Sequence, residues 1–383
     1  MKYPVSAYAK ALQARLGTLT NPAMYKKLPE RIIPSDVPYK VAIGPVNFAG
    51  QAYEWSVALN LRCPDISAIS MAFSTGSFKF PIHEEISIGH YRLKRWQKTQ
   101  LEHLSSEYTH VISEAGRAMC GNLMGSLATP IEEVERFIKA GVKVGHIAHG
   151  SDIRQPSFHL ANYPNSPFSD PNQKLAIETL ENRSKHLIQI FQRSPRDTFV
   201  TTPDLFDYLP EAKWLPVVVS VDRWQAEREV NLTSKPRVLF APSKSWIKGG
   251  ESIDLTLQNL ESRGLIIYTR VQGVPSERMP SLIEASDIVI DQLALGAYGL
   301  MAVQAMAAGR LVVGHVAPHV RERIQSQVPI VEASAESLGA VLEDIVSQPS
   351  NYGDFISDGR KFVSQFHDGE YSSRVLETWI RKN

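Results

Sequence analysis

The sequence predicts an α/β fold built on two doubly wound parallel sheets, and three observations predict it. Short apolar runs alternate with stretches of helical period along most of the 383 residues, the pattern of strand–helix–strand units. The alternation stops in a charge-rich segment without clean periodicity, Val217 to Thr233, and starts again at Arg237. Glycine-bearing loops follow the strand candidates in both halves, at the carboxyl ends where parallel sheets take their ligands.

The elements follow in order. Residues 1–38 carry Ala7, Ala9, Leu12 and Leu16 and then a proline-bearing polar run, read as a short helix and a connector. The first strand is Lys40–Val46, and a helix to Leu61 carries Trp55, Ala58 and Leu59 on its apolar stripe. Further strands are expected at 66–73, 109–113 and 142–148, with helices at 90–106 and 130–140. Gln155 to Pro171 is rich in proline and reads as a long loop; a helix from 173 to 191, a strand at 199–201 and a helical turn at 204–209 follow.

The second series runs through strands at 237–241, 265–269, 287–291, 310–314 and 330–332. Helices are expected at 251–263, 276–285 and 335–348, with a last one over 368–383 carrying Val375, Leu376 and Trp379 on one face. The boundaries are an extension over 1–38, a first domain over 39–216, a linker over 217–235, a second domain over 236–365 and a terminal helix over 366–383.

Composition excludes several classes. Lysine plus arginine number 41 against 40 acids, a formal charge of +1, so bulk electrostatics indicates no nucleic-acid partner. The basic aromatic run His90–Lys98 fits an amphipathic helix. No segment approaches the ~18 consecutive apolar residues of a membrane span, and the start lacks a signal-peptide pattern. Cys63 and Cys120 stand in no metal or redox spacing. A cytoplasmic protein with reduced thiols is expected.

Four loops sit where ligands bind. GPVNFAGQ, Gly44–Gln51, allows close backbone approach to a ligand, and by itself reads as plain turn geometry. HGSDIR, His149–Arg154, leaves a strand with a histidine, an acid and a base. It also reads as a capped turn in which Arg154 pairs with Asp152. APSKSWIKGG, Ala241–Gly250, sets Lys244 and Lys248 among small residues, either a way to neutralise phosphate or a solvated surface loop. The fourth, Pro280–His315, places Gly296 and Gly299 before a helix rich in alanine, where backbone N–H groups and the helix dipole face an anion. Asp291 there either serves the ligand or caps the strand end. Glu114 and Arg117 follow a strand and either line the cleft or form a surface ion pair, the second being the preferred reading.

These motifs resemble GT-B glycosyltransferases of the retaining family 4 type. The resemblance is strongest over Leu239 to Gly314 and continues through HGSDIR and TPDLFDYLP. It implies two Rossmann-like domains facing across a cleft, with the terminal helix crossing back onto the first. It also implies transfer of a sugar from a UDP- or GDP-sugar to an unidentified acceptor, with retention and without a metal or other cofactor. Lys248 and His149 would carry catalysis. Gly50, Ser243, Lys244, Lys248, Gly249, Asp291, Gly296, Tyr298, Gly299 and Gln304 would line the donor, and Asn47, Gln51, His83 and Asp152 the acceptor side. The family's loop carries two glutamates eight positions apart, and here those positions are Gly296 and Gln304. The replacement keeps two alternatives open: an inactive relative that binds a nucleotide sugar or a partner chain, and a sugar-nucleotide epimerase.

Overall fold

The computed structural model describes residues 27–73, 78–121, 130–193, 197–242, 246–248 and 250–382. The helix expected near residues 7–16 lies outside them, as do Ser243, Lys244 and Gly249.

The chain forms two compact units. The first comprises Met1–Gly76, Pro81–Ile147 and Ile190–Asp197; the second comprises Ser77–Phe80, Ala148–Gln189 and Thr198–Asn383. A seven-stranded sheet has the order β3-β2-β1-β4-β5-β6-β7, and a five-stranded sheet the order β12-β11-β10-β8-β9.

In the first unit, β1 (Tyr39–Gly44) pairs in parallel with β2 (Ile66–Phe73) and with β4 (His110–Glu114). β2 also pairs with β3 (Glu84–Ile86), and β4 with β5 (Lys143–Ala148). β2 and β4 are buried almost throughout, as strands covered on both faces must be. Helix α1 (Gln51–Arg62) buries Trp55, Ala58 and Leu59, the stripe its spacing predicts.

The single helix expected over 90–106 is two. Helix α2 (Ile88–Tyr91) is capped by Ser87, whose hydroxyl accepts the His90 N–H at 3.2 Å. Helix α3 (Lys94–Glu107) starts after Leu93 turns extended, and buries Trp96, Gln100 and Leu104 at four-residue spacing. Helix α4 covers Pro130–Lys139.

In the second unit the proline-rich stretch read as loop contains helix α5, Pro156–Asn162. Its proline stands at the first helical position, where a missing N–H costs nothing. Helix α6 (Lys174–Arg193) follows, then β6 (Asp197–Val200) and, past a 3₁₀ turn over Pro203–Asp207, β7 (Lys213–Trp214). The short helix α7 (Val221–Trp224) lies in the expected linker, and the Val219 N–H donates to the His367 carbonyl at 2.9 Å.

The five-stranded sheet consists of β8 (Arg237–Phe240), β9 (Ile267–Arg270), β10 (Ile288–Ile290), β11 (Leu311–Gly314) and β12 (Val331–Glu332). Helices α8 (Gly250–Ser262), α9 (Met279–Glu284), α10 (Leu300–Ala307), α11 (Pro318–Ile324) and α12 (Leu338–Ser347) alternate with its strands. Helix α13 (Gly353–Phe366), like α11, is an addition to the expected elements. Its Gly359 brings it against Met306 of α10, where a Cβ would meet the methionine at 3.2 Å.

The last helix, α14 (Glu370–Arg381), buries Leu376, Trp379 and Ile380. The Trp379 ring meets Phe199 of β6 edge-on at 5.8 Å, and Tyr371 packs on Trp214 of β7 at 5.5 Å. Among the described residues no helix is long and apolar enough to cross a membrane.

Trp379 is fully buried, so Trp379→Ala removes both an apolar surface and the ring contact that fixes α14. We expect a loss of about 3–5 kcal/mol in urea unfolding; a loss below about 1 kcal/mol would show that α14 is not held through this ring.

Candidate functional site

Each sheet has a switch point, where the strand order reverses and the loops on its two sides part to leave a crevice. In the first sheet it lies between β1 and β4; in the second, between β8 and β10.

At the first switch point the chain fills the crevice with a carboxylate. Glu114, fully buried, accepts the N–H groups of Val46 at 3.3 Å and Asn47 at 2.9 Å through Oε2. Glu114, expected at the surface, is thus an inward brace on the loop after β1. That loop runs through left-handed backbone at Asn47, Ala49 and Gly50. Asn47 is itself engaged, its Oδ1 accepting the Tyr53 N–H and its Nδ2 donating to the Pro81 carbonyl at 2.8 Å. Gln51 is buried, and its Nε2 donates to the Ala49 carbonyl.

His83 Nδ1 accepts the Ser70 N–H at 3.1 Å and lies 2.7 Å from the Ser70 hydroxyl. The network therefore assigns any proton of the neutral ring to Nε2. Burial lowers its pKa, and the Tyr53 ring packs on it at 4.8 Å.

The second unit gathers the other loops. Asp152 accepts the N–H groups of His149, Gly150 and Ile153 at 2.9, 2.7 and 3.1 Å. It is the cap of the loop after β5, and this holds His149 half-buried at the strand exit. Arg154 does not pair with Asp152. Its Nε and Nη2 both donate to Asp204 Oδ2, the former at 3.0 Å, in a buried ion pair. Three backbone donors converge on Asp152 instead.

At the switch point between β8 and β10, Asp291 ends the strand and turns toward the start of α10. Its Oδ2 accepts the Gly299 N–H at 2.6 Å. A Cβ at Gly299 would lie 3.2 Å from Oδ1, so the glycine permits the approach. Of the two readings of Asp291, the cap describes its contact, but the element capped is the helix. The N–H groups of residues 300–302 precede the first turn-closing bond, from Val303 N to Gly299 O.

The rest of the loop is held by its own atoms. Gln292 Nε2 donates to the Ala297 carbonyl, and the Ala317 N–H donates to the Gly296 carbonyl at 3.0 Å. Tyr298 points into the core, its hydroxyl 3.1 Å from His367 Nε2. Gln304 lies buried on α10. Lys248 ends a short turn, Trp246–Lys248, whose Ile247 clusters with Phe168 and Leu295. The loops after β8 and β10 are thereby brought together.

The structure adds a group of residues that sequence reasoning did not single out. His159 and Tyr163, one helical turn apart on α5 and its exit, stack at 4.1 Å with ring planes 8° apart. His159 Nε2 lies 3.3 Å from the Leu295 carbonyl, and its Nδ1 2.8 Å from the Ser166 hydroxyl. The Tyr163 hydroxyl donates to Asp207 Oδ2 at 2.6 Å and lies 3.0 Å from His319 Nε2. Asp207 also takes Arg323 Nη2 at 2.6 Å. The H-x-x-x-Y spacing was a signal for this pair, hidden by the prolines around it.

Burial, then Arg154, pushes His159 down to about 4, and burial does the same to His367. Burial, then the bond to Asp207, raises the Tyr163 pKa, so all three groups are neutral at pH 7. Among the described residues no group of three or more His, Cys, Asp or Glu side chains is placed to hold a metal ion.

The two histidines give a pH dependence whose sign is fixed. Each titrates near 4 when folded and near 6.5 when unfolded. The unfolded chain therefore binds more protons between those values, and stability falls as pH drops through that window. The loss is on the order of 3 kcal/mol apiece. Urea midpoints should fall steeply from pH 7 to pH 4.5, and less so in a His159→Gln, His367→Gln variant. Equal slopes in the two proteins would refute the assignment.

No protein-family model and no curated protein matches the sequence. Solved structures do match the fold. Sucrose-phosphate synthase from Thermosynechococcus elongatus superposes with a TM-score of 0.61 at 12% identity, over 90% of this chain and 98% of that one. Anabaena HepE, solved with UDP and glucose, gives 0.61 at 13% identity, over 89% and 99%. A UDP-N-acetylglucosamine 2-epimerase gives 0.51 at 11% identity, over 90% and 95%. With its two parallel sheets and these neighbours, the chain has the GT-B fold.

Proposed function

We propose that the protein transfers a sugar from a nucleotide diphosphate sugar to an acceptor, with the donor at the switch point between β8 and β10. The observation that carries this reading is the convergence there of the Trp246–Lys248 turn, the glycine loop after β10 and the first turn of α10. One fold neighbour, HepE, solved with UDP and with UDP-glucose, supports it.

The chemistry assigns roles as follows. The N–H groups at the start of α10 and the Lys248 ammonium stabilise the diphosphate as it leaves. Asp291 holds the loop in place for this but sets a negative charge beside it, which makes the lysine necessary to the balance. Gln304 meets the ribose as a neutral hydrogen-bonding group. His149 orients the sugar or the acceptor. Transfer proceeds with retention and without a metal, as in the enzymes the motifs resemble, and the donor is a UDP- or GDP-sugar.

A second reading is favoured by one specific observation. The loop presents no carboxylate at position 296, where Gly296 stands against the Tyr163 ring. A GT-B protein that binds a nucleotide sugar without transferring it fits that feature.

A thermal-shift screen against UDP, GDP, ADP and their sugars, without metal, tests the proposal. A ligand at one hundred times its dissociation constant stabilises the fold by about 2.7 kcal/mol. One nucleotide should produce the shift, and Lys248→Ala should lose it. No shift with any of them would overturn the reading, while binding without sugar turnover would favour the second.

A further inference from the structure

The space in front of Gly296 is filled by an aromatic ring. Gly296 has φ +68°, and a Cβ built on it would lie 2.7 Å from Cε1 and 2.8 Å from Cδ1 of Tyr163. Real side chains do not approach so closely, so Gly296 and Tyr163 fit only as a pair. The ring is fixed on every side. His159 stacks on it, His319 meets it edge-on at 5.3 Å, and its hydroxyl is held by Asp207. It is 4% exposed, which makes it a wall and not a lid.

The wall stands at the loop after β10, the position from which a ligand at this switch point is reached. Gly299 and the start of α10 lie three residues further along the same loop. On the donor reading, what the ring removes is volume at the sugar end, and its hydroxyl is already engaged by Asp207 and His319.

We propose that Tyr163 is a specificity-determining residue that narrows the sugar end of the donor site. It discriminates against a hexose and selects a nucleotide diphosphate carrying a smaller sugar. This inference rests on the reading of the loop after β10 as the donor loop.

Calorimetric titration of the full chain separates the two. The probes are UDP with UDP-glucose, GDP with GDP-mannose and ADP with ADP-glucose, and the quantity read is the ratio of the two dissociation constants within the pair that binds. In the wild type the nucleotide sugar should bind more weakly than its nucleotide. Tyr163→Ala should lower that ratio at least about tenfold, the discrimination that small changes in pocket volume give. Tyr163→Leu, which keeps more of the packing, should lower it less. Tyr163→Phe keeps the ring and keeps the ratio.

If the nucleotide binds and the ratio is unchanged in the Ala and Leu variants, Tyr163 is not the wall and the inference fails alone. If both constants weaken together, the ring only supports the loop, and the inference again fails while the donor reading stands. If no nucleotide binds any variant, the donor reading falls and takes the inference with it.

Discussion

The contact on which the second unit depends is the Asp291 carboxylate on the Gly299 N–H. A helix start leaves backbone donors without partners and a partial positive charge. Asp291 answers both from the end of the neighbouring strand, so strand β10 and helix α10 are joined across their connecting loop. That closure fixes where Gly296 and Tyr298 point. Tyr298 is driven inward to His367, and Gly296 is turned against Tyr163. Under the proposed function, a ligand phosphate at this helix would share the dipole with a carboxylate already present and would need a cation to do so.

Around this loop lies a set of polar groups kept neutral or paired. Burying His159, His367 and Tyr163 without their charges avoids the several kcal/mol that an isolated buried ion costs. Asp207, which keeps its bonds from Tyr163, His319 and Arg323, ties the turn after β6 to α11. Arg154 and Asp204 are both buried, so removing either partner strands the other charge. These networks hold the loops after β5, β6, β10 and β11 as one assembly. The site is thus preorganised by atoms far apart in the chain.

How much of this was legible in the sequence depended on the distance over which the cause acts. Apolar runs such as 288–290 and 311–314 declare buried parallel strands by themselves, and the stripe of Trp55, Ala58 and Leu59 declares its helix. Gly296 was legible as a missing side chain but not as a partner, because the ring that requires it arrives from α5 through the fold. Glu114 read as a surface acid, since nothing local tells that the loop after β1 turns its amides inward. The prolines at 156, 164, 167 and 171 spoke for a loop, although the first of them begins a helix. Helix α13 was overlooked although Phe355, Gly359, Phe362, Val363 and Phe366 fall at helical spacing, because Gly353 and Gly359 look like breakers.

The most direct test of the account is amide hydrogen exchange, read by mass spectrometry, with and without saturating nucleotide diphosphate. Exchange reports local opening free energy segment by segment, so it locates the bound ligand without a guess at the acceptor. Added protection should be confined to the segments over 246–250 and 291–304. Protection that appears elsewhere, with those two segments unchanged while the nucleotide is bound, would contradict it.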